Sequence, residues 1–174
     1  MALVVLLRGV NVGGHRTFRP SVLAQQLKHL RAVNVGAAGT FVIREPIRRA
    51  QLHAEFARRL PFAAEIMICH GREIVGLMSH DAFSGRAVGP GVVRFVSVLP
   101  RSPRSAPSTP ICFPPTGRWL LTILAREGRF VLGLYRRHMK VIGYLGALDR
   151  IFGMPATTRN WTTIAAIAKV LGEG

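Results

Sequence analysis

Two short stretches hold the residue types in this chain that could do chemistry. Near the start, "RGVNVGGHR" sets Arg8 and Asn11 beside Gly13 and Gly14; near the end, "TTRNW" sets Arg159, Asn160 and Trp161 in a row. Arg and Asn side chains carry donors suited to phosphate and carboxylate oxygens, and consecutive glycine amides can form a small anion-holding nest. Gly9 and Gly14 have the G-x-x-x-x-G spacing of a nucleotide P-loop, but that loop continues with Lys and then Ser or Thr, which reach the phosphates and hold magnesium. His15 and Arg16 stand at those places, and Thr17, Phe18 and Arg19 delay the helix that should begin at once. The G-x-G-x-x-G pattern of dinucleotide-binding folds is absent too. The first stretch is therefore either an anion nest, assisted by Arg8, His15 or Arg16, or a glycine turn leaving a strand. In the second, Thr157, Thr158 or Asn160 suits the cap of a final helix. Arg159 and Asn160, placed at the positive end of that helix, also suit a bound anion.

Other chemistries find little support. Cys69 and His70 are neighbours on a strand pattern, which sends them to opposite faces, and no H-x-x-x-H or C-x-x-C spacing occurs, so no structural metal and no cofactor are expected. G-x-S-x-G is missing, and only eight acidic residues are present, so no catalytic residue is assigned. Asp149 reads as a solvated ion pair on a basic helix.

A formal net charge of +16 favours anionic partners. The basic residues are nearly all Arg, scattered from Arg8 to Arg159 without a block, and nucleic acid is accordingly the second choice behind a small anionic ligand. RNA-binding sheets of the split βαβ kind stack bases on central-strand aromatics, and the corresponding strands here offer only Phe41. A third reading has the two motifs as structural locks in a partner-binding protein. Two cysteines make no disulfide framework, no apolar run approaches a membrane span, and a cytoplasmic protein is expected.

The elements that must position these residues follow from periodicity. "ALVVLL" reads as a buried strand, Pro20 opens a helix with Leu23, Leu27 and Leu30 on one side, and "AVNVGAAGTFVIR" reads as a hairpin. A helix over 46–60 follows, its inner face taken as Ile47, Ala50, Ala54, Ala57 and Leu60, and then the strand "AEIMICH". That order, β-α-β-β-α-β, predicts a ferredoxin-like subdomain over residues 1–71. Residues 72–174 are expected to form a second, smaller α+β subdomain packed with it. Its predicted parts are a short helix at "REIVGLM", a strand at "GVVRFVSVL", a Pro-rich loop over 100–115, a hairpin turning at Glu127-Gly128, and two final helices. The first of those helices should turn Ile142, Leu145, Leu148 and Phe152 inward. The last, from about Asn160, should turn Trp161, Ile164, Ala165, Ala168 and Leu171 inward.

"LLRGVNVGG" and "TTRNWTTI", at opposite ends of a chain this long, resemble the opening and closing motifs of a bacterial family known as domain-of-unknown-function family 1697. That family's pattern opens L-L-R-G-I-N-V-G-G and closes T-T-R-N-W-N-T, so Val10 and Thr162 depart from it. Where the family carries Q-S-G-N-V-V-F, this chain reads "AAGTFVI", with Ala38 and Thr40 replacing polar residues. Lys140 matches a lysine that the family often has before the penultimate helix. The resemblance implies an α+β protein of ferredoxin-like subdomains and no defined activity. Should the two motifs meet, Arg8, Asn11, Lys140, Arg159 and Asn160 would surround one anion pocket, with Gly13, Gly14 and Trp161 contributing.

Overall fold

The computed structural model describes residues 1–11, 14, 16–86 and 88–173. The fold is α+β, and the chain divides into two compact units, Met1–Ser79 with Thr163–Gly174, and His80–Thr162.

In the first unit, β1 (Leu3–Arg8), β2 (Ala32–Asn34), β3 (Thr40–Ile43) and β4 (Glu65–His70) form an antiparallel sheet in the order β2-β3-β1-β4. β1 lies centrally, pairing Leu3 with both Ile43 and His70, and its residues Val4 to Leu7 are fully buried. Burial on both faces explains the unbroken apolar run, since an alternating strand would leave one face wet. Leu3, Val5 and Leu7 pack with Leu23 of α1 (Pro20–Gln26), with Leu27 just beyond that helix, and with Leu52 and Phe56 of α2 (Arg49–Arg59). Phe56 meets Phe41 edge-on at 5.2 Å. After β4 comes α3 (Gly71–Leu77).

The inner face of α2 differs from the sequence reading. Ala50, Ala54 and Ala57 are exposed, whereas Leu52, Phe56 and Leu60 are buried, and Pro46 precedes the helix, whose cap position is Arg48. The larger side chains at i, i+4 and i+8 offer far more apolar area than alanines, so they decide which way the helix faces. On the outer side Glu55 accepts from Arg58 at 2.7 Å and also pairs with Arg59 and His29. Desolvation pushes the Glu55 carboxyl upward, but Arg59, Arg58 and His29 outweigh it and hold the carboxyl below its ordinary value of 4.5. A lowered carboxylate contributes stability that is full above about pH 4.5 and is lost as pH falls through the folded value. Urea titrations between pH 6 and pH 3 should therefore show the advantage of wild type over Glu55→Gln shrinking toward the acid end.

α5 (Trp161–Gly172) belongs to the first unit from Thr163 onward. A Cβ on Gly71 would stand 2.7 Å from Leu171 Cδ2, and Arg44 Nη2 donates to Val170 O at 2.9 Å. These contacts, with Gly71 N donating to Ala2 O, join 71–79 and the terminal helix to the first unit, so the division falls at Ser79 rather than after residue 71. Ile164 and Ile167 are the buried residues of α5; Ala165 is exposed.

The second unit is an antiparallel sheet of β5 (Val92–Val98), β6 (Ile111–Phe113), β7 (Leu121–Glu127), β8 (Phe130–Arg136) and β9 (Thr157–Asn160), in the order β6-β7-β8-β5-β9. α4 (Val141–Phe152) lies on it through Val141, Leu148 and Phe152, beside Leu121, Ile123 and Val131. Ile142 is 79% exposed, so the inward role expected of it falls to Val141. Asp149 makes a local tie, its Oδ1 accepting from Ala156 N at 3.0 Å. Two strands were not expected. β6 interrupts the Pro-rich 100–115 segment, and β9 occupies the residues read as a helix cap.

Candidate functional site

β9 explains what "TTRN" does. It pairs antiparallel with β5, setting Val98 opposite Thr157, Ser97 opposite Thr158, Val96 opposite Arg159 and Phe95 opposite Asn160. The Ser97 and Thr158 hydroxyls share a hydrogen bond of 2.6 Å. Strand alternation turns Thr157 and Arg159 inward, at 1% and 7% exposure, and leaves Asn160 exposed. Arg159 Nη1 donates to Thr158 O at 2.9 Å, and burial pulls its guanidinium down to about 10, which still leaves it cationic at neutral pH. Asn160 Oδ1 accepts from the Tyr135 hydroxyl at 3.0 Å, which leaves both Nδ2 hydrogens available to a ligand. Desolvation raises the Tyr135 pKa, opposed by nearby Arg137, so the phenol keeps the proton it donates.

Asn160, Trp161 and Thr162 line a pocket of about 530 Å³ together with Arg86, Arg94 and Arg137. Each arginine arrives by a different route. Arg86 lies just past the turn at Asp81–Phe83, Arg94 is in β5, and Arg137 follows β8, where its backbone N–H donates to Gly91 O at 2.8 Å. Arg94 Nη2 donates to Arg86 O at 3.2 Å, its guanidinium lies 5.5 Å from the Phe83 ring centre, and its buried Nε has no hydrogen-bond partner. Phe83 in turn meets Trp161 at 5.1 Å with the rings inclined at 67°. Among the described residues, no carboxylate lies within 4.0 Å of any of the three guanidinium groups. The first turn of α5 holds no acidic residue. Three arginines thus line one cavity together with Asn160, Trp161 and Thr162, an arrangement whose complement is an anion.

The other sequence-predicted residues have local partners. Arg8 Nη1 is 3.0 Å from Glu65 Oε2. Asn11, left-handed at φ 55°, donates from Nδ2 to Ala37 O at 3.0 Å and accepts from Phe18 N at 2.9 Å, so its amide stitches its own loop to the β2–β3 turn. In that turn Gly39 has φ +76°, and a Cβ there would stand 2.7 Å from Val10 Cγ2 and 2.9 Å from Leu7 Cβ. Gly14, at φ +78°, is exposed with open space around it; Gly13 and His15 lie outside the described residues. Lys140 is exposed at the start of α4, and its backbone N–H donates to His138 Nδ1. Arg8 and Asn11 belong to the first unit, and Lys140, Arg159, Asn160 and Trp161 to the second.

Arg86, Arg94, Arg137 and Tyr135 escaped sequence reasoning because they meet only through the sheet. One signal was present, since Arg94 interrupts the otherwise apolar "VVRFV". A larger hollow of about 640 Å³ lies beside Arg101, Ser102 and Arg104 and the end of α4, but its cations are exposed on the Pro-rich segment. Among the described residues no group of three or more His, Cys, Asp or Glu could hold a metal ion, and no helix is long and apolar enough to cross a membrane.

No family model matches the chain, and no curated protein matches it. The structure of the conserved bacterial protein SP0830 from Streptococcus pneumoniae is similar over 98% of both chains, with 17% sequence identity and a TM-score of 0.61. That likeness shows a shared α+β fold, and no similar protein names a biochemical function for the chain.

Proposed function

We propose that the second unit binds a small phosphate- or carboxylate-bearing ligand in the pocket at the junction of β9 and α5. The observation that carries this reading is the gathering of Arg86, Arg94 and Arg137 around one cavity with no described carboxylate to neutralise them. Like charges held together without a counter-charge repel, and a guanidinium fork matches phosphate and carboxylate oxygens two at a time. Asn160 and Trp161 are the sequence-predicted residues that fit this site. Arg159, buried and directed by strand alternation to the inner face, supports β9 instead.

Three wider readings belong with it. The order β2-β3-β1-β4 supports a ferredoxin-like first unit. The RGVNVGG and TTRNW motifs support membership of domain-of-unknown-function family 1697. Cys69 and Cys112 stand as thiols, which suits a reducing compartment such as the cytoplasm.

Calorimetric titration with inorganic phosphate, pyrophosphate and citrate tests the pocket. One charge-assisted hydrogen bond contributes about 1.5–3 kcal/mol, so Arg137→Ala should weaken the best of these ligands by about 10- to 150-fold. Arg159→Met should leave its affinity within about threefold, because Arg159 does not line the cavity. Binding that ignores Arg137→Ala, or no binding at millimolar concentrations, would remove the reading.

A further inference from the structure

We infer that the ligand of this pocket is a nucleoside monophosphate, its base against Trp161 and its phosphate among Arg86, Arg94 and Arg137; the inference rests on the anion-binding reading above. The cavity lining carries two kinds of chemistry: beside the three arginines stand the apolar side chains of Val88, Val92 and Val93 and the indole of Trp161. A volume of about 530 Å³ falls in the range that encloses ligands of drug size, about 300–1,000 Å³. A bare phosphate or a short carboxylic acid would leave the apolar part of that lining against water. A planar base joined to a phosphate would use both parts.

Trp161 is also prepared for stacking. Its edge-on contact with Phe83, which itself carries Arg94 over its face, holds the indole in place. A ring ordered before the ligand arrives spares the ordering that a mobile one would need. Asn160, its oxygen occupied by Tyr135, keeps two amide hydrogens for a carbonyl or ring nitrogen of the base. A single base is favoured over an extended strand because strand-binding surfaces need successive stacking platforms along a basic groove. The other tryptophan, Trp119, is already covered, with Arg136 4.0 Å from its ring centre and donating to its carbonyl oxygen.

The test uses the full chain carrying Trp119→Phe, so that Trp161 alone reports by fluorescence. Adenosine monophosphate, ribose 5-phosphate, inorganic phosphate and a ten-nucleotide deoxyadenosine strand are titrated, with calorimetry in parallel. Adenosine monophosphate is expected to quench the emission and to bind at least about tenfold more tightly than ribose 5-phosphate, the scale of one base–aromatic stack. By calorimetry, Trp161→Leu should abolish that difference, and Trp161→Phe should restore part of it. Equal affinities for the two in the Trp119→Phe protein would overturn the nucleotide inference and leave the anion site standing. Failure of every ligand would overturn both. A strand binding more than tenfold tighter than the mononucleotide would replace the inference with single-stranded nucleic acid.

Discussion

Gly133→Ala should destabilise the protein by about 3 kcal/mol or more, at the upper end of what overpacking does. The added Cβ would stand 2.3 Å from Thr122 O, 2.6 Å from Phe95 Cζ and 2.7 Å from Phe95 Cε1. Neither neighbour can yield cheaply. Thr122 lies in the β7–β8 ladder, where Ile123 pairs with Gly133, and Phe95 is fully buried directly across from Gly133 on β5. The glycine exists so that the Phe95 ring can lie over the strand, a packing of aromatic on glycine that also pins the register. For a chain of this size about 3 kcal/mol corresponds to a fall of roughly 6–12 °C in Tm. Thermal melts by circular dichroism check it, and a fall below 2 °C would mean that the sheet has slack there. Phe95→Ala in the same chain should rescue only part of the loss, because the Thr122 oxygen remains in the way.

Removing two cations from the pocket should abolish measurable anion binding. Arg94→Ala with Arg137→Ala deletes two charge-assisted contacts, and at about 1.5–3 kcal/mol each the affinity should drop by about 1,000-fold. The two share one ligand, so their effects need not add, and both single variants belong in the same titration. Arg94→Ala also uncovers the Phe83 face and removes the donor to Arg86 O, which should lower stability by about 1 kcal/mol. Arg94→Lys separates the two effects. It keeps the charge and loses the planar fork, so affinity should fall by less than in Arg94→Ala. If the double variant still binds the ligand of the wild type within tenfold, that ligand sits elsewhere.

Much of the fold was legible because it rests on local pattern. β1 announced itself as an apolar run, the β7–β8 hairpin by its Glu127-Gly128 turn, and α1 by Leu23 and Leu27. What failed to show was decided by partners distant in sequence. "TTRN" has polar residues at every position, and only the ladder with Val96, Ser97 and their neighbours makes it a strand. β6 is similarly a product of its pairing with Leu121–Ile123. On α2 the alanines satisfied helical period as well as Leu52 and Phe56 did, and residue volume settled the matter. For the proposed site, the sequence pointed to Arg8, Asn11, Gly13, Gly14, Lys140, Arg159, Asn160 and Trp161, of which Asn160 and Trp161 line the cavity; adjacency in the chain hides the alternation that buries Arg159 and exposes Asn160. The arginines around the cavity come from positions 86, 94 and 137, which no spacing rule connects.

The first unit, finally, is interrupted in the chain by the second, and this has a consequence for synthesis. Residues up to Ser79 leave the ribosome with the seat beside Gly71 and Arg44 unfilled, since Leu171 and Val170 are still to be made. At roughly 5–20 residues per second, the intervening segment takes about 4–17 s to translate. During that interval the nascent sheet waits without its last helix, while the second unit has all of its own strands as soon as Asn160 is added. Completion of the earlier part is thus timed by the synthesis of the residues from Thr163 onward, after the whole of the second unit.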